Sequence, residues 1–230
     1  MRQIYETLVY QLKEHVAYVA INRPQADNTI TRLLSQELQE VCEDINHRDD
    51  IRAVVVSGAG EGAFCAGTSP EHTGPPPPVA SLIAGLWPPV IAAINGDALG
   101  QGLEIALSCD IRVAADSARF GLPHVAQGLV PMDGGTQRLP RIVGQARALD
   151  LLLTARVIGA GEALEMGLVD KVVPPADLWT EVEGLLSRLR SKSPPSLRYA
   201  KEAVLKGMDL PLEQGLRLEA DLYFLLHTTA

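Results

Sequence analysis

Three short apolar runs constrain the fold of this chain more than any other feature of its sequence. "RAVVVSG", "PVIAAING" and "IRVAA" lack the polar/apolar alternation expected of a strand with one wet face. Continuous runs of this kind are typical of parallel strands that are buried on both faces. Because helical patterns alternate with them, the sequence predicts an α/β fold with a largely parallel sheet.

The two ends of the chain carry different patterns. The opening "LVYQLKEHVAYVAINRP" has two β-rich runs separated by Lys13-Glu14, which predicts a hairpin. Apolar residues then recur at helical spacing between Leu33 and Ile45, so an amphipathic helix should follow. From Pro175 onward the pattern is helical. No strand remains there for these helices to cover, so we expect them to pack outside the core or against a partner chain.

Composition narrows the class of protein. The 230 residues carry a net charge of −8, which argues against a nucleic-acid or anionic membrane surface. Three scattered cysteines without a C-x-x-C pair indicate a reduced, cytoplasmic protein without a disulfide framework. Charged residues interrupt the N-terminal segment, which therefore does not resemble a signal peptide. The most apolar stretch, Val79 to Ile94, is too short to cross a membrane.

The first candidate for chemistry is Glu104 in "GQGLEIALSC". Its neighbours are apolar on nearly every side, which is typical of a buried helix. A buried carboxyl has a raised pKa, as suits a general acid or base. The alternative is a solvent-facing acid near a helix N-terminus, and the local pattern leaves the two interpretations about equal. Gly100 and Gly102 precede Glu104, where free backbone N–H groups could bind an oxyanion or simply form a turn.

Other segments give weaker signals. Phe64 to Thr68 follow a buried strand, where loops of open α/β sheets often carry ligands. The five histidines have no metal-ligand spacing, so no metal site is expected. His124 could be an ordinary core or surface residue. Asp133, before two glycines, could be a helix N-cap.

Several blocks together resemble the crotonase family, the enoyl-CoA hydratase/isomerase superfamily. They are "FCAG-T", "AAINGDALGQGLEIALSCDIRVAA", "FGLP", "GLVPMDGGTQRLPRIVG" and "A-EALEMGLVDKVV", and the resemblance runs from about Ala17 to Leu226. It implies a ββα-spiral core over residues 1–174 and a helical trimerisation region over residues 175–230, shortened relative to the family. It also implies homotrimers or dimers of trimers and an acyl-CoA substrate, with coenzyme A as part of that substrate and no separate cofactor.

The resemblance also assigns roles around the site. It implies an oxyanion hole made by the backbone N–H groups of Thr68 and Gln101, which would stabilise an enolate. Ala66, Gly67 and Gly100 fall at substrate-binding positions, and the Ala66 carbonyl corresponds to the contact with the CoA adenine. The short loop around Gly74–Pro78 should alter the wall of the acyl pocket.

Two positions depart from the hydratases of the family. Glu104 matches one of their two glutamates, but His124 stands where the second is expected. Asp133 lies where hydratases usually have small residues. The predicted catalytic set is therefore Glu104, His124 and Asp133, in an enzyme of hydratase or isomerase type. The alternatives are an acyl-CoA thioester hydrolase and a non-catalytic acyl-CoA-binding protein, because a histidine replaces the second acid.

Overall fold

The computed structural model describes residues 2–228, with side chains from residue 5 onward. The strands are β1 Arg2–Ile4, β2 Leu8–Lys13, β3 Val16–Ile21, β4 Ala53–Gly58, β5 Val90–Ile94, β6 Ala98–Leu99, β7 Ile111–Ala115, β8 Arg119–Gly121, β9 Ile158–Gly159 and β10 Lys171–Val173. The α-helices are α1 Arg32–Asn46, α2 Ala80–Ala84, α3 Gln101–Ser108, α4 Gly135–Val143, α5 Gln145–Thr154, α6 Ala160–Glu165, α7 Leu178–Arg190, α8 Pro194–Gly207 and α9 Leu212–Thr228.

The main sheet has the strand order β1-β2-β3-β4-β5-β7-β10. Strands β1, β2 and β3 pair antiparallel, and every pairing from β3 to β10 is parallel. The three apolar runs are β4, β5 and β7, which lie side by side at the centre of the parallel part. A second sheet of three short strands, β6-β8-β9, lies apart from it. The predicted α/β class, opening hairpin and parallel sheet are therefore confirmed.

Helices cover both faces of the main sheet. The larger apolar cluster fills one face and includes residues of α1, α2 and α3. On the other face, Leu178, Val182 and Leu186 of α7 pack against the outward side chains of β3, β4, β5 and β7. These three residues recur every four positions and form one stripe of the helix. The expectation that the C-terminal helices have no strand to cover is therefore wrong for α7.

Helices α8 and α9 differ from the rest of the molecule. They pack mainly on each other, and among their described side chains Leu222 alone is buried. Several large apolar side chains on them face solvent: Val204, Leu205, Met208, Leu212, Leu216, Tyr223, Phe224 and Leu225. Within residues 2–228, no helix is long and apolar enough to cross a bilayer.

All three cysteines are reduced and buried. Burial raises the pKa of Cys42, Cys65 and Cys109 to about 12 in each case. Cys65 is the one nearest to the predicted site, because it lies in the loop between β4 and α2, three residues before Thr68.

Candidate active site

Two backbone segments lie against each other at the start of α3. The Leu99 N–H donates to the Cys65 carbonyl at 3.0 Å, and the Cys65 N–H donates to the Asp97 carbonyl at the same distance. The contact is so close that a Cβ atom on Gly102 would stand 1.9 Å from the Cys65 oxygen. Glycine at position 102 is therefore required by packing, and it brings the loop before Thr68 onto the N-terminal turn of α3.

The two predicted oxyanion donors, Thr68 and Gln101, are brought together by this contact. A Cβ atom placed on Gly67 would lie 3.8 Å from the Gln101 nitrogen. Gly67 and Gly100 have φ values of +102° and +53°, which L side chains rarely adopt. Among the hydrogen bonds of the described residues, none uses the Thr68 or the Gln101 backbone N–H. Both N–H groups thus remain available to an external acceptor.

Glu104 lies one turn further along α3 and is fully buried. Its Oε1 atom accepts hydrogen bonds from the backbone N–H groups of Asp133, at 2.9 Å, and Gly135, at 2.8 Å. Its Oε2 atom is also buried but has no hydrogen-bond partner among the described residues. Burial raises the pKa of Glu104, and the two backbone hydrogen bonds offset part of that effect. Two backbone hydrogen bonds therefore fix the carboxyl group through Oε1, whereas Oε2 accepts none from the described residues.

Asp133 has a different environment, although it is also buried. Its Oδ2 atom accepts from the backbone N–H groups of Val79 and Ala80, at 2.7 Å each, and its Oδ1 atom accepts from Ser81 at 3.3 Å. These are N–H groups at the start of α2, which have no partner within the helix itself. The Asp133 carboxylate thus caps α2, which lies 52–54 residues earlier in the chain. The N-cap role predicted for Asp133 at the helix that follows it is therefore wrong, since α4 has no side-chain cap.

His124 lies in a single 3₁₀ turn, Pro123–Gln127, that follows β8. Its ring lies next to the start of α3, since a Cβ atom on Gly100 would be 3.8 Å from its Cε1 atom. The Nδ1 atom is buried and makes no well-formed hydrogen bond within the described part of the chain. Burial lowers the pKa of His124, and the nearby Leu122 carbonyl raises it by less. The imidazole is therefore neutral at pH 7.

Sequence reasoning did not find the Gln101 carboxamide. Only the backbone of Gln101 was assigned a role, yet its side chain is 1 % exposed and fully engaged. Its Oε1 atom accepts from the Thr68 hydroxyl at 2.7 Å, and its Nε2 atom donates to the Pro77 carbonyl at 2.8 Å. A glutamine in a helix that is apolar on nearly every face was the available signal, because buried amides need specific partners.

Other polar residues around the site have structural partners. Asp97, in "NGDALG", pairs with the exposed guanidinium of Arg119 at 2.5 Å. The proline run is anchored at its end, because the Ser35 hydroxyl donates to the Pro78 carbonyl at 3.0 Å. Across residues 2–228, no three His, Cys, Asp or Glu side chains are grouped so that they could hold a metal ion.

Comparison with known proteins identifies the family to which this chain belongs. Residues 11–74 and 78–229 match the enoyl-CoA hydratase/isomerase family. The (E)-benzylidenesuccinyl-CoA hydratase of Thauera aromatica is 39% identical over 95% of this chain and 90% of its own length. The crotonyl-CoA hydratase of Syntrophomonas wolfei is 38% identical over 98% and 91%.

Solved structures agree with this. A protein from Thermobifida fusca, crystallised in complex with CoA, is 30% identical and superposes with a TM-score of 0.87 over 97% of this chain and 93% of its own. The helical C-terminal region is part of this likeness. By sequence and by its crotonase-like α/β fold, the chain belongs to the enoyl-CoA hydratase/isomerase family.

Proposed function

We propose that this protein adds water to the double bond of an α,β-unsaturated acyl-CoA. The observation that carries the proposal is the Glu104 carboxyl group, with one oxygen held by two backbone N–H groups and the other buried and unpartnered. Burying an unpaired carboxyl oxygen costs free energy, and groups perturbed in this way cluster at functional sites, so this oxygen is a candidate for proton transfer. Hydration is also the activity named for the two relatives, whose acyl groups differ from each other.

The thioester oxygen would be bound by the backbone N–H groups of Thr68 and Gln101. When the water oxygen bonds to the β-carbon, the π electrons move toward the thioester and leave an enolate with its charge on that oxygen. Two preorganised N–H donors stabilise this charge without reorganisation, and loss of one such donor typically costs a factor of about 10²–10³ in rate.

Glu104 would carry the proton. Its Oε2 atom removes a proton from the attacking water and then delivers it to the α-carbon of the enolate, so that the carboxylate is restored and one water has been added. A raised pKa favours the first step, because a carboxylate of higher proton affinity is a stronger base, and the protonated carboxyl is still acidic enough to protonate the enolate carbon.

His124 would orient the water rather than ionise. Its imidazole is neutral at pH 7 because burial lowers its pKa, so it offers one acceptor and one donor nitrogen. This differs from a second carboxylate, which only accepts hydrogen bonds. The site therefore works with one charged group, and the water is held by a neutral one.

Backbone atoms of the protein would recognise the CoA part of the substrate. Within the described residues, no hydrogen bond reaches the Ala66 carbonyl, although the Ala66 N–H donates to Asp27. This supports the assignment of the Ala66 carbonyl as acceptor for the adenine amino group, next to Gly67 and the first oxyanion donor. No further cofactor is needed, because the thioester itself supplies the activated carbonyl.

Self-association would use the exposed apolar side chains of α8 and α9. Eight large apolar side chains exposed on two helices that pack on each other are more than single scattered ones, and such a grouping favours an interface. We propose a homotrimer or a dimer of trimers, and light scattering coupled to gel filtration would measure the mass. A monodisperse monomer would contradict it.

The function is tested with a panel of 2-enoyl-CoA and 3-enoyl-CoA esters, including aryl-substituted ones, with products identified by mass. Hydration yields a product heavier by one water and leaves the thioester intact. A shifted double bond without added mass would indicate isomerisation instead. Release of free thiol would indicate a hydrolase, and binding without any product would indicate a non-catalytic member. Glu104→Gln is the matched inactive control.

A further inference from the structure

The Gln101 side chain belongs to a buried chain of hydrogen bonds that joins the parts of the site to one another. At one end, the Thr68 hydroxyl donates to the Gln101 Oε1 atom at 2.7 Å. The residues that present the two proposed oxyanion donors are thus also bonded side chain to side chain. Since each N–H group is attached to the same residue as the bonded side chain, this bond restricts the relative motion of the two donors.

The Gln101 carboxamide extends the hydrogen-bond network through its Nε2 atom. Its Nε2 atom donates to the Pro77 carbonyl at 2.8 Å and lies 3.4 Å from the Asp133 Oδ2 atom. That carboxylate oxygen also accepts from Val79 and Ala80 at the start of α2. The carboxamide therefore connects the oxyanion segment to the proline run and to the first turn of α2.

Asp133 then links the network to the acid/base group. Its backbone N–H donates to Glu104 Oε1 at 2.9 Å, and its backbone carbonyl accepts from the Arg138 guanidinium at 2.8 Å. The path from Thr68 through Gln101 and Asp133 to Glu104 consists of buried or half-buried groups. Apart from Glu104 Oε2, each polar group on this path is bonded, and breaking one of these bonds would leave an unpaired group away from water, which makes the network rigid.

We propose that the Gln101 carboxamide is a positioning residue that holds the Thr68 and Gln101 N–H groups at the separation required by the enolate oxygen and fixes this pair relative to Glu104. The proposal rests on the proposed function, since it assumes that these N–H groups bind an enolate. The carboxamide does not touch the substrate, and its effect passes through the backbone to which it is attached.

The test uses acetoacetyl-CoA, a thioester that ionises to an enolate with its own absorbance band, and CoA as a reference ligand without an acyl group. The wild type should bind acetoacetyl-CoA as the enolate and more tightly than CoA. Gln101→Met keeps the volume of the side chain but removes its hydrogen bonds. We expect it to lose about 10-fold of that preference, less than the 10²–10³ seen when a donor itself is removed.

Three further variants make the test specific. Thr68→Val removes the hydroxyl and should lose a similar factor, whereas Thr68→Ser, which keeps the hydroxyl, should lose less than Thr68→Val. The double variant Thr68→Val/Gln101→Met should be no worse than Gln101→Met alone, because both changes remove the same bond. Gln39→Met makes the same chemical change at an exposed glutamine on α1 and should have no effect. Unchanged affinity for CoA establishes that each variant is folded.

The outcomes separate this proposal from the proposed function. If Gln101→Met binds the enolate as tightly as wild type, or if the losses of the single variants multiply in the double variant, the positioning role is wrong while the function stands. If the wild type shows no preference for the enolate, both are wrong, since there is then no oxyanion hole to position. Normal enolate binding by the wild type without turnover of any enoyl-CoA would contradict the hydratase function alone.

Discussion

Two buried acidic side chains in contacting segments differ in how many of their carboxyl oxygens accept hydrogen bonds. Asp133 accepts three backbone N–H groups at the start of α2, and both of its oxygens are engaged. Glu104 on α3 accepts two, both at the same oxygen, and its other oxygen has no partner among the described residues. Burial alone therefore does not identify an acid/base residue. A buried carboxyl that the protein leaves half satisfied is the better candidate, since its spare oxygen has affinity left for a proton or a water.

The largest effect should come from Glu104→Gln. The amide oxygen can still accept the two backbone hydrogen bonds, but the group no longer accepts a proton. We expect kcat for hydration to fall by about 10²–10⁴, the usual contribution of a general acid/base, with little change in CoA affinity. Stopped-assay product analysis measures this. Retention of more than a tenth of the wild-type rate would remove Glu104 from the mechanism.

Asp133→Ala should instead act on stability. The change leaves three N–H groups of α2 without their acceptor in a buried position, which should cost about 3 kcal/mol of unfolding free energy. Asp133→Asn keeps one acceptor oxygen and should lose less than half as much. Urea denaturation followed by circular dichroism gives both values.

The same pair of variants addresses the predicted catalytic role of Asp133. If the carboxylate only caps α2, Asp133→Asn should retain activity within about tenfold of wild type, whereas loss of an acid catalyst would cost about 10²–10⁴. A large rate loss in a stable Asp133→Asn enzyme would show that Asp133 acts as a catalytic acid. Asp133 and Glu104 would then no longer differ in role.

His124→Gln should have an intermediate effect on rate. A glutamine keeps a donor and an acceptor but places them differently, so we expect a loss of about 10-fold, below the usual range for removal of an acid or base. Because burial lowers the pKa of His124 from its usual 6.5, any limb of the pH profile of kcat/KM that disappears in this variant should lie on the acid side of that value. A lost limb above pH 6.5 would show that the pKa of His124 is not lowered during turnover.

The smallest expected effect is the pH dependence that Glu104 gives to the stability of the folded protein. Its pKa is raised in the folded protein, so folding binds a proton there, and the resulting stability is present at acid pH and lost as pH rises through the raised value. Glu104→Gln should therefore raise Tm at pH 7, and the gain should vanish below the ordinary glutamate pKa. In a chain of this length, 1 kcal/mol corresponds to a Tm shift of about 2–4 °C. Calorimetry at both pH values measures it.

The sequence predicted well what depends on local pattern. The central strands β4, β5 and β7 follow from their continuous apolar runs. For Glu104 the local pattern left a buried and a solvent-facing side chain about equal, and the structure shows the buried one. The pairing of Thr68 with Gln101 came from the resemblance to the family, because no periodicity relates residues 33 positions apart.

The remaining features depend on long-range contacts that no local pattern encodes. Asp133 was predicted as a possible cap of the helix that follows it, but its carboxylate caps α2, 52–54 residues earlier in the chain. The role of α7 was missed because a helical stripe does not indicate which strands it will cover. The Gln101 carboxamide was overlooked because its partners, a hydroxyl and a proline carbonyl, come from a loop whose path the sequence leaves open.

The rate at which the buried Cys65 thiol is alkylated would measure how often the loop of the candidate active site opens. Burial raises the pKa of the Cys65 thiol to about 12, so the unreactive thiol form dominates at pH 7, and the sulfur is shielded from solvent. A small uncharged alkylating reagent can therefore modify Cys65 only when the segment leading to Thr68 swings away from α3. Peptide mass spectrometry distinguishes Cys65 from Cys42 and Cys109, so its labelling rate would report how often this segment opens, without any substitution in the chain.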